Sequence, residues 1–376
     1  MIIENGTVFS PKGAFIEDSL YIKDSIICDK SELKNKNNIQ KIDASGMYVV
    51  PGFIDIHFHG CNRQDFMNES PLAIDTIASY QASNGITSIS PATMTMSVDS
   101  IKTAITNALN FKPKTNQSSV EGVYLEGPFI NEKKKGAQNG TFVLAPDERV
   151  CDDLIKAGKG LVKVVTIAPE INGACKLVEK YKDKVNFSIA HTCATYEDTL
   201  KAIDSGAREL THTFNAMNPI HHRAPGPIAA ASEYSDKIYA ELICDGVHIH
   251  KGAVRLLFKL FENIVLISDS MEATGLEDGQ YQLGGQKVNV KGNRAELDDG
   301  TIAGSVTNLY NCFVCAVKEN DIPIEKALIA CSLNPAKVLK IDNKVGSLEL
   351  GKRADILLID KKTLKLEQVI LRGNLI

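Results

Sequence analysis

No apolar run among the 376 residues approaches the roughly 20 residues needed to cross a bilayer, so no membrane partner is expected. The opening Met-Ile-Ile-Glu-Asn-Gly-Thr-Val also lacks the basic segment and apolar core of a secretory signal. A soluble, cytoplasmic protein is expected. Positive charge is not in excess either: the net charge is -4 and the sequence pI about 6.1. There is no basic stripe and no interleaving of aromatic with basic residues, which argues against nucleic acid as a partner. The nine cysteines follow no framework spacing, as expected of reduced thiols. Cys312-x-x-Cys315 has no second ligand pair after it and falls in a helical pattern, where packing accounts for it. Low-complexity tracts, heptads and unstructured linkers are absent.

What is present is a change of texture along the chain. Residues 1–50 alternate short β-type runs with turns, at Thr7-Val-Phe9, Leu20-Tyr-Ile22, Ser25-Ile-Ile-Cys28 and Met47-Tyr-Val-Val50, with a charged, Asn-rich turn from Lys30 to Asn38. Ala354-Asp-Ile-Leu-Leu-Ile-Asp360 and Gln368-Val-Ile-Leu-Arg372 have the same character. Both chain ends, 1–50 and 344–376, are therefore expected to form one small β-sandwich domain.

Between them, apolar runs alternate with amphipathic helices. The runs are Phe53 to Phe58, Thr87 to Thr93, Gly122 to Glu126, Val162 to Ile167, Val185 to Ala190, Glu209 to His212, Tyr239 to Cys244 and Asn263 to Ser268. Helical patterns cover Leu72 to Ser83, Val98 to Leu109, Asp147 to Ala157, Ala174 to Tyr181 and Tyr196 to Ser205. Eight β-α units at this spacing predict a TIM (β/α)8 barrel over 51–343, with its active site at the C-terminal ends of the strands. A Gly-rich β hairpin near 280–298 interrupts the pattern as an insertion after strand eight. Helices at 305–319 and 324–340 are expected to lead back to the terminal layer.

The chemistry starts at Pro51-Gly-Phe-Ile-Asp-Ile-His-Phe-His-Gly60, an apolar strand ending in polar residues. Residues i and i+2 of a strand share a face, so His57 and His59 point the same way. Taken alone, the pair fits either a metal ion or two core histidines. The barrel supplies a test, because metal-type residues should then lie at strand C-termini. His57 and His59 end strand one, Glu126 ends strand three, His191 follows strand five, His212 ends strand six and Asp269 follows strand eight. Four imidazoles with two carboxylates suit a divalent ion such as Zn, Fe, Co or Mn. Such an ion makes hydroxide available at neutral pH, and Asp269 beside it would take a proton from water and return it to a leaving group. Cys193 is read as a packing residue or a support behind the ligands, and His221, His222 and His250 as loop residues or such supports.

The His-x-His strand end, the histidines after strands five and six and the aspartate after strand eight resemble the amidohydrolase superfamily. Within it the chain is similar to the N-acetylglucosamine-6-phosphate deacetylases. The resemblance runs nearly end to end, through Leu125-Glu-Gly-Pro-Phe129, Lys134-Lys-Gly136, Ala190-His-Thr192, Thr211-His-Thr-Phe-Asn-Ala-Met217, His221-His-Arg-Ala-Pro-Gly226, Cys244-Asp-Gly-Val-His248, Ser268-Asp-Ser-Met-Glu-Ala-Thr-Gly-Leu276, Gly300-Thr-Ile-Ala-Gly-Ser305 and Asn334-Pro-Ala336. It implies hydrolysis of the acetamide of N-acetylglucosamine 6-phosphate, a step of amino sugar catabolism. It also implies that Glu126 stands where many relatives have a carboxylated lysine, and strand four accordingly offers only Lys163, near its beginning. Glu126, His191 and His212 would hold one ion, and His57 and His59 a second in members that keep both.

The same resemblance assigns the substrate contacts. Asn215 and the Ala216 amide match phosphate contacts, and Arg223 matches an arginine that reaches across a homodimer interface to the same phosphate, a geometry suited to its planar guanidinium. His248 matches a histidine that polarises the scissile carbonyl. Gln138 stands where some members have a histidine on the sugar, and glutamine can both donate and accept there. Three rivals remain: the galacto epimer of the sugar phosphate, another amidohydrolase substrate such as a cyclic amide or a deaminase substrate, and a non-catalytic assembly subunit.

Overall fold

The computed structural model describes residues 1–33 and 39–376. Eight parallel strands form its centre, in sequence order: Phe53–Asp55, Ile86–Ile89, Val123–Leu125, Val162–Ile167, Asn186–Ile189, Glu209–Leu210, Tyr239–Ile243 and Asn263–Ile267. Each pairs in parallel with the next, strand two reaching strand three through its continuation Ala92–Thr93. The ring closes past the regular ends of strands eight and one, where the Asp269 N–H donates to the His57 carbonyl at 3.0 Å and the His59 N–H to the Ser270 carbonyl at 2.7 Å. The chain has the (β/α)8 barrel expected. Strands such as Asn263–Ile267 are apolar almost throughout because helices cover one face and the barrel interior the other.

The helices lie where their periodicity predicts. Leu72–Ser83, Ala174–Tyr181 and Tyr196–Ser205 have the expected bounds, while Val98–Asn110 and Glu148–Ala157 differ by one residue. Three of these starts are set by side chains that satisfy the free N–H groups of the first turn: Ser97, Asp147 and the Thr195–Asp198 capping box. The expected helix at 305–319 begins only at Leu309, because Asn308 caps it and Ser305 is hydrogen-bonded to the Asp269 peptide instead. The expected helix at 324–340 is broken at Ser332 into Ile324–Cys331 and Leu333–Val338.

Strands from both ends of the chain interleave in one eight-stranded sheet. Ile356–Asp360 runs antiparallel to Met47–Pro51, which runs parallel to Ile2–Phe9. Alternation along that last segment divides its contacts: Ile356 and Leu358 pack with Ile3, Ile22 and Val49 in a core of their own, whereas Leu357 and Ile359 join the main core. Arg353 ties this layer to the barrel, donating to Glu121, Ser88 and Asp355 at 2.6, 2.7 and 2.6 Å. Of the expected turn, Lys30–Leu33 forms a short 3-10 helix and residues 34–38 lie outside the described residues. The insertion is a three-stranded antiparallel sheet, Gly279–Leu283, Gln286–Lys291 and Arg294–Glu296, whose Leu283 and Val288 pack with Met94 and Met271 beside the barrel mouth. No helix among the described residues is long and apolar enough to cross a membrane.

Candidate metal centre

All six ligand-type residues meet at the C-terminal end of the barrel. They form two groups, His57 with His59 and Asp269, and Glu126 with His191 and His212. In the second group Glu126 Oε1 lies 2.9 Å from His191 Nε2 and 3.0 Å from His212 Nε2, and the two nitrogens are 3.2 Å apart. In the first, His59 Nε2 lies 3.2 Å from Asp269 Oδ1, with His57 Nε2 at 4.0 Å from the same oxygen. Glu126 reaches both groups, because its Oε2 is 3.1 Å from His59 Nε2 while Oε1 faces the other pair.

Backbone conformation aims these groups. His191, His212 and Asp269 take left-handed φ values of 42°, 27° and 50° directly after their strands. Side-chain-bearing residues adopt that region reluctantly, and strain of this kind gathers at functional sites. Asp269 is held there on both sides, since the Ser305 N–H donates to its carbonyl at 2.7 Å and the intervening Gly304, at φ 63°, would place a Cβ 3.0 Å from that oxygen. This explains the glycine in the Gly300-to-Ser305 stretch.

The far nitrogens of the rings decide what the near ones can do. His191 Nδ1 is 2.8 Å from the Lys134 carbonyl, His59 Nδ1 is 3.3 Å from the Ala92 carbonyl and His57 Nδ1 is 2.9 Å from Glu241 Oε2. A neutral imidazole has one N–H, so donation from Nδ1 leaves a lone pair on each Nε2. These lone pairs converge on each other and on carboxylates, and His57 Nε2 is buried with no hydrogen-bond partner. Such an arrangement is unfavourable unless a cation lies between. Atoms that share a tetrahedral ion at 2.0–2.1 Å lie about 3.3–3.4 Å apart, close to the spacing seen here. The residues therefore fit divalent metal.

Electrostatics agree. Burial works against charge on His59, yet the neighbouring Asp269 and Glu126 outweigh it and push the imidazole up to about 10, so these groups demand positive charge among them, as a proton or as a cation in its place. Burial likewise raises Asp269, but the hydrogen bond from His59 and the charges of His57 and His59 hold its carboxyl below the usual range. The same field that draws protons draws cations.

A cavity of about 390 Å³ opens above the ligands, walled by Asn215, Ala216, Gln138 and His248 among others. His248 Nδ1 lies 2.7 Å from Asp245 Oδ2, and Asp245 Oδ1 accepts the N–H groups of Val247 and His248, each at 2.9 Å. Asn215 donates to the His212 carbonyl at 3.1 Å. Left-handed φ at His212, Phe214 and Ala216 makes this segment turn tightly at the cavity wall. Gln138, 3% exposed, accepts the Thr95 N–H at 2.6 Å and donates to Glu126 Oε2. Arg223 is not brought to this cavity. It is exposed, 2.7 Å from His222 Nε2, beside a separate cleft.

Sequence reasoning missed the carboxylates beneath the ligands. Asp55 accepts the Ser268 hydroxyl at 2.5 Å, and burial, only partly offset by that bond, raises its carboxyl to about 7. Glu209 and Glu241 are wholly buried in strands six and seven. A signal existed, since a glutamate inside an otherwise apolar strand such as Tyr239–Ile243 has to meet a partner. Cys312 and Cys315 are buried in helix Leu309–Lys318, and exposed His250 caps helix Lys251–Leu260.

Residues 48–376 match the Amidohydrolase family. A curated N-acetylglucosamine-6-phosphate deacetylase from Lysinibacillus sphaericus is 34% identical, covering 100% of this chain and 97% of the relative. An N-acetylgalactosamine-6-phosphate deacetylase from Escherichia coli O157:H7 is also 34% identical, with 87% of each covered. Among solved structures, a mutant N-acetyl-D-glucosamine-6-phosphate deacetylase from Mycobacterium smegmatis in complex with N-acetyl-D-glucosamine-6-phosphate superposes with a TM-score of 0.90 at 29% identity, covering 100% of this chain and 98% of that one.

Proposed function

The chain belongs to the amidohydrolase family, and on that footing we propose that it hydrolyses the acetamide of N-acetyl-D-glucosamine 6-phosphate to D-glucosamine 6-phosphate and acetate. The observation that carries this reading is the convergence of four imidazoles and two carboxylates under a cavity that also presents His248. Glu126, His191 and His212 would hold one ion, and His57, His59 and Asp269 a second. A divalent ion there supplies Lewis acidity and lowers the pKa of water it binds to about 7.

The protein's own groups do the rest. Asp269, kept anionic by the histidines beside it, takes a proton from the attacking water. His248 donates Nε2–H to the acetyl oxygen as negative charge develops on it. It can do so because Asp245 occupies Nδ1: burial disfavours the imidazolium, but the hydrogen bond and charge of Asp245 outweigh this and raise its pKa. The tetrahedral carbon then releases the amine as Asp269 returns the proton to nitrogen, so that water has been added across the amide.

Asn215 and the Ala216 amide bind the phosphate, joined by Arg223 of a second copy in a cytoplasmic homodimer. The exposure of Arg223, away from its own cavity, supports that role. Gln138 borders the sugar while bracing Glu126. All catalytic groups come from residues 51–343, while 1–50 with 344–376 serve as a supporting β domain. The galacto epimer is the second reading, favoured by the relative of that specificity at equal identity. A non-catalytic role is disfavoured because every ligand is in place. Acetate release from the two epimers, compared on one preparation, tests the assignment.

A further inference from the structure

Glu241 sits inside barrel strand seven, fully buried, and takes no part in the chemistry above. Its Oε2 accepts two hydrogen bonds, one from His57 Nδ1 at 2.9 Å and one from the His212 backbone N–H at 2.9 Å. His57 belongs to one ligand group and His212 to the other. A single carboxylate oxygen therefore anchors a member of each.

His57 depends on this contact more than its fellow ligands do on theirs. His59 and His191 are oriented by backbone carbonyls, at Ala92 and Lys134. The His57 ring stacks on the Tyr124 ring, with centroids 4.4 Å apart, and its Nε2 has no hydrogen bond. Stacking fixes the plane of a ring but not which nitrogen carries the proton; a carboxylate at Nδ1 fixes both and makes Nε2 a stronger donor to a metal. Glu209 stands beside Glu241 on strand six, and its Oε2 accepts from Asn186.

We propose that Glu241 is the positioning residue that makes the His57–His59–Asp269 group a metal position in its own right and couples it, through the backbone of His212, to the Glu126–His191–His212 position. The inference rests on the reading above that both groups take an ion. It concerns what holds the second ion rather than the reaction.

The test is metal stoichiometry of the full chain, stripped by chelator and titrated with Zn2+ or Co2+ against a competing chelator, with the melting temperature of the stripped protein as control. Wild type is expected to take up two equivalents. Glu241→Ala should keep one equivalent at the original affinity and lose the other, and Glu241→Gln should weaken the second equivalent by about 10–100-fold. The Co2+ absorption spectrum should lose the contribution of the second equivalent only. If Glu241→Ala fails to fold, Glu241→Gln decides, and unchanged affinity for both equivalents in that variant overturns the proposal. Equal weakening of both sites together with a lower melting temperature of the stripped protein also overturns it, because that is what a merely structural role predicts. Wild type binding one equivalent would overturn both the proposal and the two-ion reading, whereas two equivalents in wild type and in both variants would overturn the proposal alone.

Discussion

Asp245 and His248 form a hydrogen-bonded pair, Oδ2 to Nδ1 at 2.7 Å, within the loop that follows barrel strand seven. By favouring the imidazolium, which carries N–H on both nitrogens, the pair lets His248 donate toward the cavity. Burial and the His248 contacts oppose each other at Asp245, and the contacts prevail, holding its carboxyl below the usual range.

Asp245→Asn is expected to move the alkaline limb of the kcat profile to lower pH. The sign follows from the direction of the shift: the His248 pKa is raised in the folded protein, so its cationic form persists below that pKa and is lost as pH rises through it. Removing the carboxylate lowers that pKa, and the donor is lost earlier. A pH profile unchanged in position, with kcat reduced uniformly, would contradict the donor role. His248→Ala, which removes the donor outright, should cost about 10²–10³ in kcat.

Asp269→Asn should remove turnover by a factor on the order of 10²–10⁴ while leaving substrate binding largely intact, as measured by isothermal titration with the intact substrate. Loss of binding along with turnover would instead make Asp269 mainly structural.

The dimer reading lends itself to complementation. Arg223→Ala and Asp269→Asn homodimers should each be nearly inactive. Mixing them under conditions of subunit exchange should restore activity, because the mixed dimer has one site with an intact Asp269 and a partner's Arg223. No recovery on mixing, with exchange demonstrated by mass, would place Arg223 outside the neighbouring site.

Arg353 carries a prediction about stability rather than activity. It is largely buried between Glu121 and Asp355, so Arg353→Ala leaves both carboxylates without their partner. A loss on the order of 3 kcal/mol is expected from urea denaturation, with metal content of the folded protein unchanged. A loss under about 1 kcal/mol would mean that the contact between sheet and barrel is held by apolar packing alone.

The barrel was readable because each of its strands is a short apolar run punctuated by turn or cap residues, and because Ser97, Asp147 and Thr195 mark helix starts by their chemistry. The start at Leu309 escaped for a tertiary reason: Ser305 is committed to Asp269, 36 residues earlier in the chain, and no local period reports that. The convergence of the six ligand-type residues was legible because strand ends repeat at regular spacing, so it could be inferred without distances. Asp55, Glu209 and Glu241 were not, since their partners His57, Ser268 and Asn186 lie on other strands. Gln138 illustrates the same limit. Its amide suits a sugar contact on paper, yet in the folded chain it bridges Thr95 and Glu126.

The central claim is tested most directly by acetate release from the 6-phosphates of N-acetylglucosamine and N-acetylgalactosamine, side by side, on metal-replete and chelated protein. Release that chelation abolishes and metal restores, faster from the gluco sugar, is the predicted result. No release from either sugar by protein with metal demonstrably bound would contradict the account.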